Sequence, residues 1–219
     1  MKGDKRLVRL YVVDAEALQL DFDRLSANVD SARRTRVRQY DNTPQGRRCL
    51  GAGLLLNQVL GRDAVENRML LNSHGKPYLG SGPCFNLTHA GRYAALAVAS
   101  EPVGVDMENA GRKGDWQRIA ERFFHAEEQA YIAAMENPKQ AFYAIWTLKE
   151  SYLKALGAGF SISPGSFCVL PDGVAGAAVT GDGDMDWRFR RYEDFLPDYH
   201  LAVCAREPDF CHAPEVLTF

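Results

Sequence analysis

The stretch Val103-Gly104-Val105-Asp106-Met107-Glu108 follows turn residues at Glu101-Pro102 and alternates in character along its length, which predicts a strand. Side chains two apart on a strand point the same way. Asp106 and Glu108 therefore project from one face, while Val103, Val105 and Met107 pack beneath the other. Downstream, helices are predicted over 115–124, 126–135 and 138–156, with Pro138 in a first turn and Gly157 and Gly159 as the stop. Strands are predicted over 166–170, 186–192 and 199–205. Upstream, residues 7–14 form a strand, 28–39 and 45–60 helices, and 69–72, 84–87 and 93–99 strands. The second of these helices carries Leu50, Leu54, Leu55 and Val59 at helical spacing and belongs to the core; the first carries Arg33, Arg34, Arg36 and Arg38 with few apolar positions and does not. Strand, then helices, then strands occurs on both sides of Glu101. That order predicts an α+β fold of two similar halves, residues 1–101 and 102–219, with no linker between them.

The chain has 219 residues, 46% hydrophobic and 25% charged, which excludes disorder as its main state. A net charge of −2 supplies no global field toward nucleic acid or an anionic membrane, so any attraction for phosphate is local. The five cysteines are scattered, without CxxC or zinc-ligand spacing, and are expected as reduced, mostly buried thiols. The first residues lack the apolar stretch of a signal peptide, and no run approaches the roughly 20 apolar residues of a membrane helix. A cytoplasmic protein with no membrane or nucleic-acid partner is expected.

Four groups of residues could carry chemistry. Asp106 and Glu108 are either the solvated face of an edge strand or a seat for a hard cation such as Mg²⁺, whose charge would offset their repulsion. On the helix 138–156, Ile145, Leu148, Tyr152, Leu153 and Leu156 form an apolar arc, with Glu150 and Lys154 four apart on its polar border. These two are either an ordinary surface pair or site residues. Arg33, Arg34, Arg36, Arg38, Arg47 and Arg48 face only Asp30 and Asp41 between positions 30 and 48, which suits a phosphate site, a nucleic-acid patch, a docking face for an acidic protein, or a merely solvated helix. The segments 73–80 and 85–92 place Lys76 and Pro77 in one turn and Thr88 and His89 just past a strand end.

Taken together, the order GKPY, FNLTHAGR, GVDME, RFFHAEE and WTLKESYLKALGAGFSI resembles the signature of the 4'-phosphopantetheinyl transferases, specifically the larger single-chain, surfactin-synthetase-activating type. The resemblance runs from about Arg33 to Ala205. It implies a pseudo-dimer of two similar α/β halves with the active site in the cleft between them. It also implies a Mg²⁺-dependent transfer of the phosphopantetheine arm of coenzyme A to a serine of an acyl or peptidyl carrier protein, releasing adenosine 3',5'-bisphosphate. By that resemblance Asp106, Glu108 and Glu150 are the metal-side carboxylates and Lys154 contacts the phosphate. Lys76 and Pro77 lie against the adenine and ribose, while Thr88, His89, Arg47 and Arg48 fall at the 3'-phosphate. Where some members have lysines near the first helix, this chain offers Arg33, Arg34 or Arg36. The acid after the double phenylalanine matches at Glu128, with Glu127 beside it. Glu150, a water it orients, or Glu128 would take the serine proton. Two fused halves imply a monomer. A metal-dependent nucleotide-binding hydrolase is the alternative, since it would use the same carboxylates with water as acceptor.

Overall fold

The computed structural model describes residues 7–172, 176–181 and 186–219. Strand β1 (Leu7–Asp14) leads through short turns into helix α1 (Phe22–Ser26), then α2 (Ser31–Tyr40), α3 (Pro44–Leu60) and α4 (Arg62–Asn67). Helix α3 starts where Thr43 accepts a hydrogen bond from the Gly46 amide and Pro44 occupies the first turn, and its apolar positions Leu50, Leu54 and Leu55 are buried. In α2 only Val37 is buried. Next come β2 (Met69–Leu71), β3 (Pro77–Leu79), β4 (Cys84–Ala90) and β5 (Tyr93–Ala99). Strand β6 (Val103–Asn109) is followed by α5 (Trp116–Phe123), α6 (Ala126–Ala134) and α7 (Pro138–Leu156). The chain closes with β7 (Phe167–Asp172), β8 (Gly176–Gly181), β9 (Arg188–Arg191), β10 (Tyr199–Ala205), β11 (Asp209–Phe210) and β12 (Glu215–Val216).

One sheet has the order β11-β1-β5-β4, with β12 also on β1; a second has the order β6-β10-β9. The sheets meet through Val8, Leu10 and Val12 of β1, Val105 and Met107 of β6, and Val203 of β10, which share one buried cluster. The far side of the first sheet packs on α3, and the far side of the second on α7. The architecture is therefore a mixed helix-and-sheet fold, α+β as expected. Sequence patterning passed over α1, α4, β3, β8, β11 and β12, all of six residues or fewer. The last two run parallel to β1, so the end of the chain crosses back to the sheet that its beginning builds. All five cysteines are free; only Cys168 and Cys204 are fully buried, fewer than expected. Among the described residues, no helix is long and apolar enough to cross a membrane.

Two contacts place the chemistry. Gly104 lies where β6 and α7 touch: a Cβ there would come within 2.0 Å of the Ser151 carbonyl oxygen and 2.3 Å of the Ala155 nitrogen. Only glycine allows that approach. Because Asp106 lies two residues on, the same contact turns its side chain toward the helix. At the free edge of β6, the Val105 amide donates to Asn86 Oδ1 of β4 at 2.9 Å, a side-chain bond in place of a ladder partner. The reading of Asp106 as part of a solvated face is corrected here, since only 4% of its surface is exposed.

Candidate active site

Strand β6, strand β4 and helix α7 enclose a cleft of about 490 Å³. Asp106, Glu108, Glu150 and Lys154 line it, together with Thr88 and His89. Arg33 of α2 and Trp146 complete the wall. A second crevice, of about 340 Å³, meets the first at Glu150 and Lys154, with Lys76 and Pro77 on one side and Leu153 and Gly157 on the other. Residues far apart in sequence converge because Glu150 and Lys154 are one helical turn apart on the α7 flank facing β6.

Asp106 Oδ1 accepts from Lys154 Nζ at 2.5 Å and from the Thr88 hydroxyl at 3.2 Å, and Lys154 Nζ also donates to Thr88 at 3.3 Å. Asp106 Oδ2 is buried without a hydrogen-bond partner. Burial pushes the Asp106 carboxyl above its ordinary range, against the pull of Lys154. Burial likewise raises Glu108 and Glu150, and the charge of Asp106 raises both further. Three carboxylates thus crowd around a single lysine, and one buried oxygen has nothing bound to it. An unpaired buried carboxylate oxygen is costly, and a hard divalent cation with oxygen ligands satisfies it. The donor set fits Mg²⁺.

On the opposite wall, His89 is held below its ordinary pKa, first by desolvation and then by the charges of Arg48, Lys154 and Arg33. Arg48 donates to the Gly91 carbonyl at 2.8 Å. These cations form a seat for an anion. Arg47, expected beside them, is not placed there: its guanidinium donates to both Glu16 oxygens, at 3.1 and 3.0 Å, and to the Asn42 carbonyl at 2.7 Å. It braces the start of α3 to the segment after β1. Thr88 belongs to the carboxylate–lysine group, with its hydroxyl already on Asp106. Of the three arginines left open, Arg33 lines the cleft, Arg34 donates to the Ala27 and Val29 carbonyls, and Arg36 stands exposed.

Glu128 lies elsewhere. It is fully buried, accepts from Lys149 Nζ at 2.6 Å, and also takes the Val169 and His125 amides, which leaves it no access to a substrate. Sequence reasoning missed Lys149, although the signal was present. At 100° per residue Lys149 falls within the arc of Ile145, Tyr152, Leu153 and Leu156, and a lysine inside a buried stripe requires a buried partner. Trp146, beside Glu108 and Glu150 in the cleft, was not singled out either, because an aromatic on a helix usually serves packing.

Comparison with known proteins agrees with this geometry. Residues 102–204 match the model of the 4'-phosphopantetheinyl transferase superfamily. The chain is 34% identical over 206 residues to a 4'-phosphopantetheinyl transferase of Bacillus subtilis, covering 90% of this chain and 91% of that protein. It is 31% identical over 216 residues to 4'-phosphopantetheinyl transferase Sfp of Bacillus subtilis strain 168, covering 94% and 93%. A third relative, 4'-phosphopantetheinyl transferase ffp of Bacillus subtilis, is 30% identical over 214 residues, covering 94% and 93%. Likeness at this level along nearly the whole length, in a chain whose matched residues include every carboxylate of the cleft, makes it an enzyme of the 4'-phosphopantetheinyl transferase superfamily, of the larger Sfp type.

Proposed function

We propose that this protein transfers the 4'-phosphopantetheine arm of coenzyme A to a serine of an acyl or peptidyl carrier protein, with Mg²⁺, releasing adenosine 3',5'-bisphosphate. The observation that carries the reading is the meeting of Asp106, Glu108 and Glu150 beside Lys154, with Asp106 Oδ2 buried and unbonded. Those three carboxylates would hold the metal, which when bound neutralises charge on the pyrophosphate. The charges of Arg48 and Arg33 beside His89 suit the 3'-phosphate, and the crevice beside Pro77 suits the adenine and ribose. In the transfer, the serine Oγ attacks the phosphorus that bears the pantetheine arm, and its proton passes to the Glu150 carboxylate. The bond from that phosphorus to the bridging oxygen breaks. The electron pair leaves with adenosine 3',5'-bisphosphate, and Lys154 offsets the developing negative charge.

The strands β1, β5 and β4 with α3, and the strands β6, β10 and β9 with α7, would form the centres of two related halves, 1–101 and 102–219, of a pseudo-dimer that works as a monomer, with β11 and β12 of the second half added to the sheet of the first. Arg36 and Arg38 lie exposed on α2, outside the cleft, and suit the acidic surface of a carrier protein. The test is mass spectrometry of carrier proteins incubated with coenzyme A, Mg²⁺ and enzyme. A mass increase of one phosphopantetheine group is expected with the native protein and is lost with Asp106→Ala. Hydrolysis of coenzyme A without modification of any carrier would reject the proposal.

A further inference from the structure

The loop between β2 and β3 is bound to the end of α7 by contacts that the transfer chemistry does not call for. Asn72 organises this loop: its Oδ1 accepts from the His74 and Lys76 amides, each at 2.9 Å, while its backbone exchanges bonds with Lys76 and Gly75 at 3.0 Å. The same side chain then reaches across, with Nδ2 donating to the Gly157 carbonyl at 2.9 Å. Lys76 crosses beside it. Its Nζ donates to the carbonyls of Lys154 at 2.5 Å, Val103 at 3.1 Å and Ala155 at 3.3 Å. All three acceptors are backbone oxygens at the C-terminal end of α7 or the start of β6, where a cation favours the helix dipole. Burial lowers the pKa of this ammonium. Gly157 makes room for both partners: it adopts φ 66°, and a Cβ there would lie 3.2 Å from Lys76 Cδ and 3.3 Å from Asn72 Nδ2.

The loop and the helix end are also the two walls of the 340 Å³ crevice. Lys154 is therefore fixed twice, its carbonyl by Lys76 and its ammonium by Asp106. We propose that Asn72 and Lys76 are a latch that sets the width of this crevice and the position of Lys154, acting as positioning residues through backbone contacts rather than as ligands of the coenzyme's phosphates. The inference rests on the transferase reading for the identity of the ligand, but the latch itself does not.

Asn72→Asp separates the two tasks of Asn72. It keeps an oxygen for the His74 and Lys76 amides and removes the donor to Gly157, whereas Asn72→Ala removes both. Amide exchange measured without ligand is expected to quicken about tenfold at 154–157 in Asn72→Asp, with the β2–β3 loop still protected; loss of one such bond corresponds to about this factor. Calorimetry with coenzyme A should show affinity about tenfold weaker, and KM for coenzyme A should rise in step while KM for the carrier stays within twofold. A mere loss of fold would lower the active fraction and leave both KM values alone. Exchange at 154–157 within twofold of the native rate overturns the latch. Faster exchange with unchanged coenzyme A affinity overturns its role in setting the crevice. A native protein that binds no coenzyme A rejects the transferase reading and the crevice role together, and the ligand-free exchange measurement still decides the latch.

Discussion

Helix α7 carries two lysine–carboxylate pairs five residues apart, on different sides of the helix, and they solve opposite problems. Lys149 and Glu128 have no exposed surface; the lysine also donates to the Phe167 carbonyl and stands 4.2 Å from the centre of that residue's ring, and the carboxylate takes two backbone amides. Every partner that this pair needs is built in. Lys154 and Asp106, with side-chain exposures of 29% and 6%, are short of partners: one Asp106 oxygen is unbonded, and Glu108 and Glu150 add like charge. A saturated pair ties α6, α7 and β7 together. An unsaturated one, lining a cleft, has the features of a site that takes a ligand, and under the proposed function a cation and an anionic substrate would complete it.

The largest effect should come from breaking the finished pair. Lys149→Met leaves Glu128 buried without its countercharge, held by two backbone amides only, and is expected to cost about 3–5 kcal/mol, read as a fall in the urea midpoint. If stability is untouched, the pair is not what holds these elements together. At the other pair the sign should reverse. Glu150→Gln removes a repelling charge, so Tm in the presence of a chelator should hold or rise, while kcat falls about a hundredfold or more. A joint loss of Tm and activity would make Glu150 a structural residue.

A smaller effect concerns His89. A phosphate beside it raises a pKa that desolvation and Arg48 now hold down, so bound protein carries more protons than free protein. Coenzyme A binding should take up a fraction of a proton and tighten a few-fold from about pH 8 to about pH 6. Titration in buffers of different ionisation enthalpy measures this, and His89→Gln should abolish it. The smallest effect belongs to the exposed arginines. Charge reversal of Arg36 and Arg38 should raise the carrier KM several-fold at low salt and little at high salt. Equal changes at both salt levels would mean that the loss is not electrostatic.

Most elements with seven or more residues were legible because they carry a period of their own: α3 and α7 gather their apolar residues on one helical face, and β6 alternates. Strands of two or three residues, such as β3, β11 and β12, are too short to show any period and form only because another strand offers an edge. The candidate carboxylates were visible as residue types at telling spacing. Which arginine faces the cleft was not. Arg47 and Arg48 are neighbours in sequence, yet one is committed to Glu16 and the other stands near His89. Neighbours on a helix point about 100° apart, and only the packed surroundings decide what each direction meets; the arginine that lines the cleft is Arg33 of α2.

The sequence by itself determined the main helices and strands, the acidic strand face, the Glu150–Lys154 flank and the family to which they belong, because all of these depend on spacing within a short stretch of chain. Only the tertiary structure decided that Asp106 is buried with one oxygen unbonded, that Glu128 belongs to Lys149 and not to a substrate, and that Asn72 reaches across 85 positions to Gly157. Those outcomes depend on which surfaces dock when two sheets and their helices close on one another, and no local pattern encodes the partner on the far side.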